Sequence, residues 1–271
     1  MTFRRIGLVA WHVFKESVRD RVLYAIGAFA MLLVTAAVVF SQLTAGQDLK
    51  IMKDFGLATI ELAGVLMSVF IGVGLVAREI ERRSIFSLLA KPLPRWEFVV
   101  GKYLGLVLTL SVNVLAMSLA LYAALAYQHW VAPLGVRASW PAPASDPRLM
   151  IAVLMIALEL ALLTAVALFF STFSSSTLIS VVFTVGIFVA GLLSADLRGF
   201  NDVVDAPVLG YLVVAVGWLV PAFSAFDVKN QIVYGLPLAP GFVLHTIGYA
   251  VAYAAAAVGA AVLALRSREF K

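Results

Sequence analysis

Six stretches of this chain, at residues 22–43, 57–77, 98–127, 149–170, 178–197 and 242–265, carry so few charges that lipid is the solvent they demand. A bilayer core about 30 Å thick takes about 20 apolar residues as a helix. The stretches exceed the ~10 residues of a barrel strand and do not alternate with polar residues, so a helical bundle is expected. Composition agrees: 63% of the 271 residues are hydrophobic and 13% charged, against about a quarter charged in soluble domains. The expected fold is all-α and integral to the membrane, one transmembrane domain over residues 1–271 with six spans. The first run is too long for a signal-peptide core and is expected to stay as a span.

Lysine and arginine placement sets the expected orientation. Arg4, Arg5, Lys15, Arg19 and Arg21 precede the first span. Arg78, Arg82, Arg83, Lys91, Arg95 and Lys102 follow the second, and Arg266, Arg268 and Lys271 follow the last. The opposite side holds fewer: Lys50, Lys53, Arg137, Arg148, Arg198 and Lys229. The excess marks the cytoplasm, so both termini are expected to face inward. The net charge of +5 is thus assigned to cytoplasmic loops and not to nucleic-acid binding. Residues 3–20 predict an amphipathic interfacial helix, with Phe3, Ile6, Ala10, Val13, Phe14 and Ser17 on its apolar stripe. A seventh apolar stretch, 208–226, contains Gly210, Gly217 and Pro221. A crossing there would export the basic C-terminus, so an external re-entrant hairpin broken at Pro221 is expected before the last helix. Residues 45–56 read as a polar loop, and Pro133, Pro141, Pro143 and Pro147 predict an irregular connection.

Catalytic signatures are missing. The chain has no cysteine, and His12, His129 and His245 form no HExxH pair. No GxSxG and no GxxxxGK[ST] occurs, so neither a nucleophile elbow nor a phosphate-binding loop is available. Within the spans, ionisable side chains are scarce. Glu159 falls near the middle of the fourth run among apolar neighbours, and a carboxylate there costs about 2.5–3.5 kcal/mol. It must face protein or water, with Asn113 a candidate partner, and reads either as a coupling residue on a path or as an interhelical hydrogen bond. Glu61, one turn inside the second run, reads as structural. The hydroxyl-rich residues 171–177 lack lysine and predict a tight helix–helix turn.

The segment 78–102 is the most informative. Arg78, Glu79, Glu81, Arg82 and Arg83 begin it as a charged helix, and Ile80, Ile85, Leu88 and Leu89 supply apolar contacts. Pro92 and Pro94 then break it before Trp96 starts the next helix. This predicts a short amphipathic element between the second and third spans: an interfacial anchor, or a docking surface for a soluble partner.

With Glu79, Glu81, Leu88, Leu89, Ala90, Lys91, Pro92, Arg95, Gly101 and Lys102 in this order, the chain resembles the permease subunit of ABC-2 (type V) transporters. Glu16, Arg19, Asp20 and Arg21, then Pro221, Phe223, Phe226 and Asp227, and finally Arg266, Arg268 and Phe270 are similar to further parts of that family. Within it the chain is most similar to the branch containing the permease for nitrous oxide reductase maturation. The resemblance implies a multi-pass protein of the prokaryotic cytoplasmic (inner) membrane. It would work as a homodimer of permeases with two copies of a separate ABC ATPase. ATP and Mg would sit on that partner, and this chain would have no cofactor, metal or catalytic centre. Glu79, Glu81, Arg82, Arg83, Ile85, Leu88, Leu89, Lys91, Pro92 and Arg95 would form the ATPase-coupling element. The alternative is a membrane anchor that does not transport and passes motion to an external protein.

Overall fold

The computed structural model describes residues 2–42, 48–81, 94–138, 140, 143–174, 176–194 and 220–267, without the side chains of 40–42, 48, 75–81, 138 and 267. Among these, every regular element is helical: α1 (Thr2–Ser17), α2 (Arg21–Gln42), α3 (Asp48–Glu81), α4 (Arg95–Val131), α5 (Leu134–Ala138), α6 (Leu149–Phe173), α7 (Thr177–Leu192), α8 (Lys229–Val233) and α9 (Phe242–Ser267), with a 3-10 turn at Phe223–Phe226. Five of them, α2, α3, α4, α6 and α9, are long and apolar enough to cross a membrane. The fifth expected run forms α7, whose 16 residues reach about 24 Å at 1.5 Å per residue.

The burial pattern is that of a protein dissolved in lipid. On α7 the buried residues are Ser180, Thr184 and Gly191, whereas Leu178, Val182, Phe183 and Val189 are exposed. Small and hydroxyl side chains face inward because lipid gives large apolar ones no reason to hide. On α2, Ala30, Val34 and Ala37 form the buried stripe at helical spacing, while Phe29, Leu32 and Val39 point away. Exposed Trp11, Tyr24 and Trp96 gather at one end of the bundle and Tyr127, Trp130 and Tyr234 at the other. Two such belts fit the two membrane–water boundaries. Several intramembrane hydroxyls bond within their own helices, as in Thr109 to Gly105 O at 2.9 Å and Thr164 to Leu160 O at 2.6 Å.

Helices α3 and α6 form the centre. Apolar on every face, α6 has no side to offer water and is buried along its length. Small residues let α3 approach it: a Cβ on Gly64 would strike Leu160, and one on Gly72 would come within 2.9 Å of the Ala167 Cβ. Ser171 closes this contact by donating from Oγ to Val73 O at 3.2 Å. Around the pair stand α2, α4, α7 and α9.

Three boundaries differ from expectation. Residues 48–56, read as part of a polar loop, are the first turns of α3. Leu49 and Met52 are buried there, and Lys53 extends to donate from Nζ to Pro143 O at 3.0 Å. A lysine with such a reach lets a charged sequence continue as helix. The third run continues to Val131 and is followed by short α5, where Arg137 donates from Nε to Ala132 O at 2.8 Å. The third change concerns α1, which ends at Ser17 and packs on α4 instead of resting on lipid alone. Its buried stripe is Ile6, Val13 and Ser17, while Phe3 is 91% exposed.

The contact between α1 and α4 depends on two glycines one turn apart. A Cβ on Gly101 would lie 2.7 Å from the Val9 Cβ, and one on Gly105 would lie 2.6 Å from Ala10 O. Gly105→Val is therefore expected to cost about 1–3 kcal/mol through overpacking and to lower the melting temperature in detergent. Gly186→Ala, where an added Cβ meets nothing within 4 Å, is the control and should leave it unchanged or slightly higher.

Candidate functional site

Before the last helix the chain folds back against the bundle. Val220, Phe223, Phe226, Val228, Ile232 and Val233 are all buried, so this segment is packed as core. Ala222 N–H donates to the Tyr249 hydroxyl at 2.8 Å, and Phe223 lies edge-on to Phe188 with centroids 5.1 Å apart. Gly235 (φ 69°) ends α8 in the left-handed conformation, and Leu236 N–H returns to Gln231 O at 2.8 Å. The first part of the expected re-entrant hairpin, 208–219, lies outside the described residues.

This packing carries Lys229 to the α3–α6 centre, where it forms an ion pair with Glu61. The two side chains are 20% and 15% exposed. Asp227, 45% exposed, places Oδ1 3.6 Å from the Lys229 Nζ and accepts from the Lys229 N–H at 3.3 Å. Asp54 lies two turns before Glu61 on the same face of α3 and also feels the Lys229 charge. Glu159, contributed by α6 and only 2% exposed, is electrostatically coupled to Glu61, Lys229 and Asp227. One ammonium thus serves four carboxyl groups from three parts of the chain. Burial pushes the Lys229 ammonium down, but the hydrogen bond and charge of Glu61, with Asp227 and Glu159, outweigh it and hold the group above its ordinary value.

Of the three intramembrane residues singled out from sequence, Glu61 and Glu159 come together and Asn113 does not join them through a hydrogen bond. The Asn113 amide donates to Thr109 O, one turn back in its own helix, at 2.8 Å. Lys229 is the residue that sequence reasoning missed, because it had been counted among external loop charges. The nearby breaker Pro221 was the available signal that its segment could turn inward.

At the opposite end, Pro94 is the N-cap of α4 in extended conformation and Arg95 opens the helix. The Arg95 guanidinium donates from Nη1 to Leu265 O at 2.9 Å and Arg266 O at 3.2 Å, covering the carbonyl end of α9. Glu97 and Lys102 are buried on the next turns, the Lys102 Nζ resting 4.8 Å from the centre of the Phe98 ring. Glu79 and Glu81 lie on the last turns of α3, with their side chains outside the description. Arg82, Arg83, Ile85, Leu88, Leu89, Lys91 and Pro92 lie outside the described residues. The expected coupling element is therefore bounded by α3 on one side and by α4, tied to α1 and α9, on the other.

The model of the ABC-2 family transporter protein matches residues 8–265, from inside α1 almost to the end of α9. The chain belongs to the ABC-2 transporter family. It is a multi-pass membrane protein and a permease component of an ABC transporter; the family forms the membrane channel and not the catalytic subunit, and normally works with an ABC ATPase. No curated protein matches the chain. The ABC-2 match includes the charge cluster as well as the 78–95 segment.

Lys229→Ala is expected to destabilise the detergent-solubilised permease by about 2–4 kcal/mol, because it leaves Glu61 charged and unpaired. Adding Glu61→Leu should restore most of the loss, which a double-mutant thermal-unfolding cycle would measure. The pH dependence has a definite sign. A lysine whose folded pKa exceeds its ordinary 10.5 stabilises fully below that value and loses its contribution as pH rises through the folded one. Melting temperature should therefore fall more steeply above pH 10.5 in the wild type than in the Glu61→Leu/Lys229→Ala double variant.

Proposed function

We propose that this chain couples ATP hydrolysis on a separate ATPase chain to substrate movement across the membrane. The observation that carries the reading is the family match over nearly the whole chain. ATP and Mg bind the partner, and this chain supplies the moving helices. The 78–95 segment is the coupling element, with Glu79, Glu81, Arg82 and Arg83 as polar contacts and Ile85, Leu88 and Leu89 inserted in the ATPase groove. Lys91 and Pro92 end the element before Arg95. The Arg95 contacts support this role, since displacement of the element would reach α4, α1 and α9 together.

In this reading α7 is completed as the sixth span, both termini are cytoplasmic, and two copies of the chain pair with two ATPases in a prokaryotic inner membrane. The excess of Lys and Arg before the first span, after the second and after the last supports the orientation. The likeness to the nitrous oxide reductase maturation branch rests on the motif residues alone and names no cargo. A second reading, the anchor that transmits motion to an external protein, is favoured by the direct contact of α3 with α6, which closes the centre of the bundle.

Reversing both charges, Glu79→Lys with Glu81→Lys, tests the coupling. In proteoliposomes with the co-purified ATPase, the permease-dependent increase in ATP turnover should be lost while helical content stays unchanged. Undiminished stimulation would end the assignment. Transport by the wild-type complex separates the first reading from the second.

A further inference from the structure

The end of the bundle away from Arg95 contains a cavity of about 290 Å³ lined by Arg148, Ile151, Ile232, Leu236, Pro237 and Leu238. Five of these six residues are apolar. Ile151 belongs to the first turn of α6, Ile232 to α8, and residues 236–238 to the turn that follows. The wall is therefore shared between a membrane-spanning helix and the folded-back segment.

Arg148 stands at its edge as the residue that leads into α6. It is exposed, and among the described residues its guanidinium has no ion-pair partner. The nearest carboxylate in sequence, Asp146, is occupied otherwise: its Oδ1 accepts the Arg148 backbone N–H at 2.9 Å, and it feels the charge of Lys53. A second cation, Lys50, has its Nζ 5.2 Å from the centre of the Tyr234 ring, two residues before the lining residue Leu236. Tyr234, Tyr127 and Trp130 are the exposed aromatic residues that mark the membrane boundary at this end. A cation at that boundary, above an apolar trough that opens beside a span, presents two chemistries at once. It offers charge to a phosphate and hydrocarbon contact to a chain.

We propose that this trough is a binding site for one anionic phospholipid, its headgroup phosphate on Arg148 and part of an acyl chain against Ile151, Ile232 and Leu236. The occupant is a membrane lipid because the trough lies at the boundary depth, where lipid is the molecule present at high concentration. Basic residues beside spans recognise anionic headgroups by this means. The lipid bridges α6 and the segment that carries Lys229, so it links the bundle to the charge cluster. The site stands independently of the coupling mechanism proposed above.

Native mass spectrometry of the purified full chain tests it, with phosphatidylglycerol and phosphatidylcholine of identical acyl chains added to the detergent. The wild type should retain phosphatidylglycerol in preference. Arg148→Gln should reduce that preference about fivefold, the weight of one basic side chain near an anionic surface, and leave phosphatidylcholine retention unchanged. Leu236→Trp, which fills the trough from an exposed position, should reduce retention of both lipids. An unchanged melting temperature in each variant confirms that the fold is intact. Equal retention of the two lipids by the wild type, or an undiminished preference in Arg148→Gln, would overturn the proposal. Full retention in Leu236→Trp would remove the trough as the seat of the chain.

Discussion

The close approach of α3 to α6 is the contact on which the rest of the molecule depends. In lipid, helices gain nothing by hiding apolar side chains from one another, so association rests on packing and on hydrogen bonds. Gly64, Gly72 and Ala167 allow that packing, and Ser171 adds a hydrogen bond across it. Once the two helices are joined, their shared surface receives α2 and α4 on the α3 side and α7 and α9 on the α6 side. It also provides the seat for the folded-back segment, whose Phe223, Phe226, Val228 and Ile232 are buried.

That seat has a polar floor. Glu61 and Glu159 belong to different central helices, and Glu61, mostly buried there, calls for a hydrogen-bonding cation. Lys229 meets this need from a segment that is not itself a span. The ion pair does less for raw stability than for placement, since a buried pair replaced by apolar side chains often leaves stability unchanged. Geometrically, it ties Lys229 of the returning chain to the Glu61 turn of α3. An apolar segment alone could slide by a turn at little cost.

Much of this was legible in the sequence. Five of the six apolar runs coincide with helices long and apolar enough to cross a membrane, because a helix in lipid needs length more than pattern. Glu159 stood out because it is a lone acid among leucines, and Pro94 marked the start of α4. What could not be read has physical causes. Residues 48–56 belong to α3 and Lys53 there reaches Pro143, and a sequence window does not show where a lysine will find its acceptor. Lys229 was counted as a loop charge because topology rules treat every basic residue outside a span alike, whereas burial depends on packing between distant segments. Ile6, Val13 and Ser17 of the α1 stripe are buried while Phe3 is exposed, and α1 packs on α4, since an apolar stripe does not declare its partner. The residues proposed for coupling were read as a motif, and among them only Arg95 has a described side-chain environment.

The two bonds from Arg95 to the end of α9 have a mechanical consequence. They join the last residue of the proposed coupling segment to the last turn of the final helix, while α1 crosses the same stretch of α4 at Gly101 and Gly105. Beginning, middle and end of the chain thus meet at a single knuckle. If the segment before it moves as proposed, α9, packed on α6, would be the helix driven through these two bonds. A displacement at the knuckle would then be carried along α9 towards its other end, where Phe242 follows the left-handed Gly241.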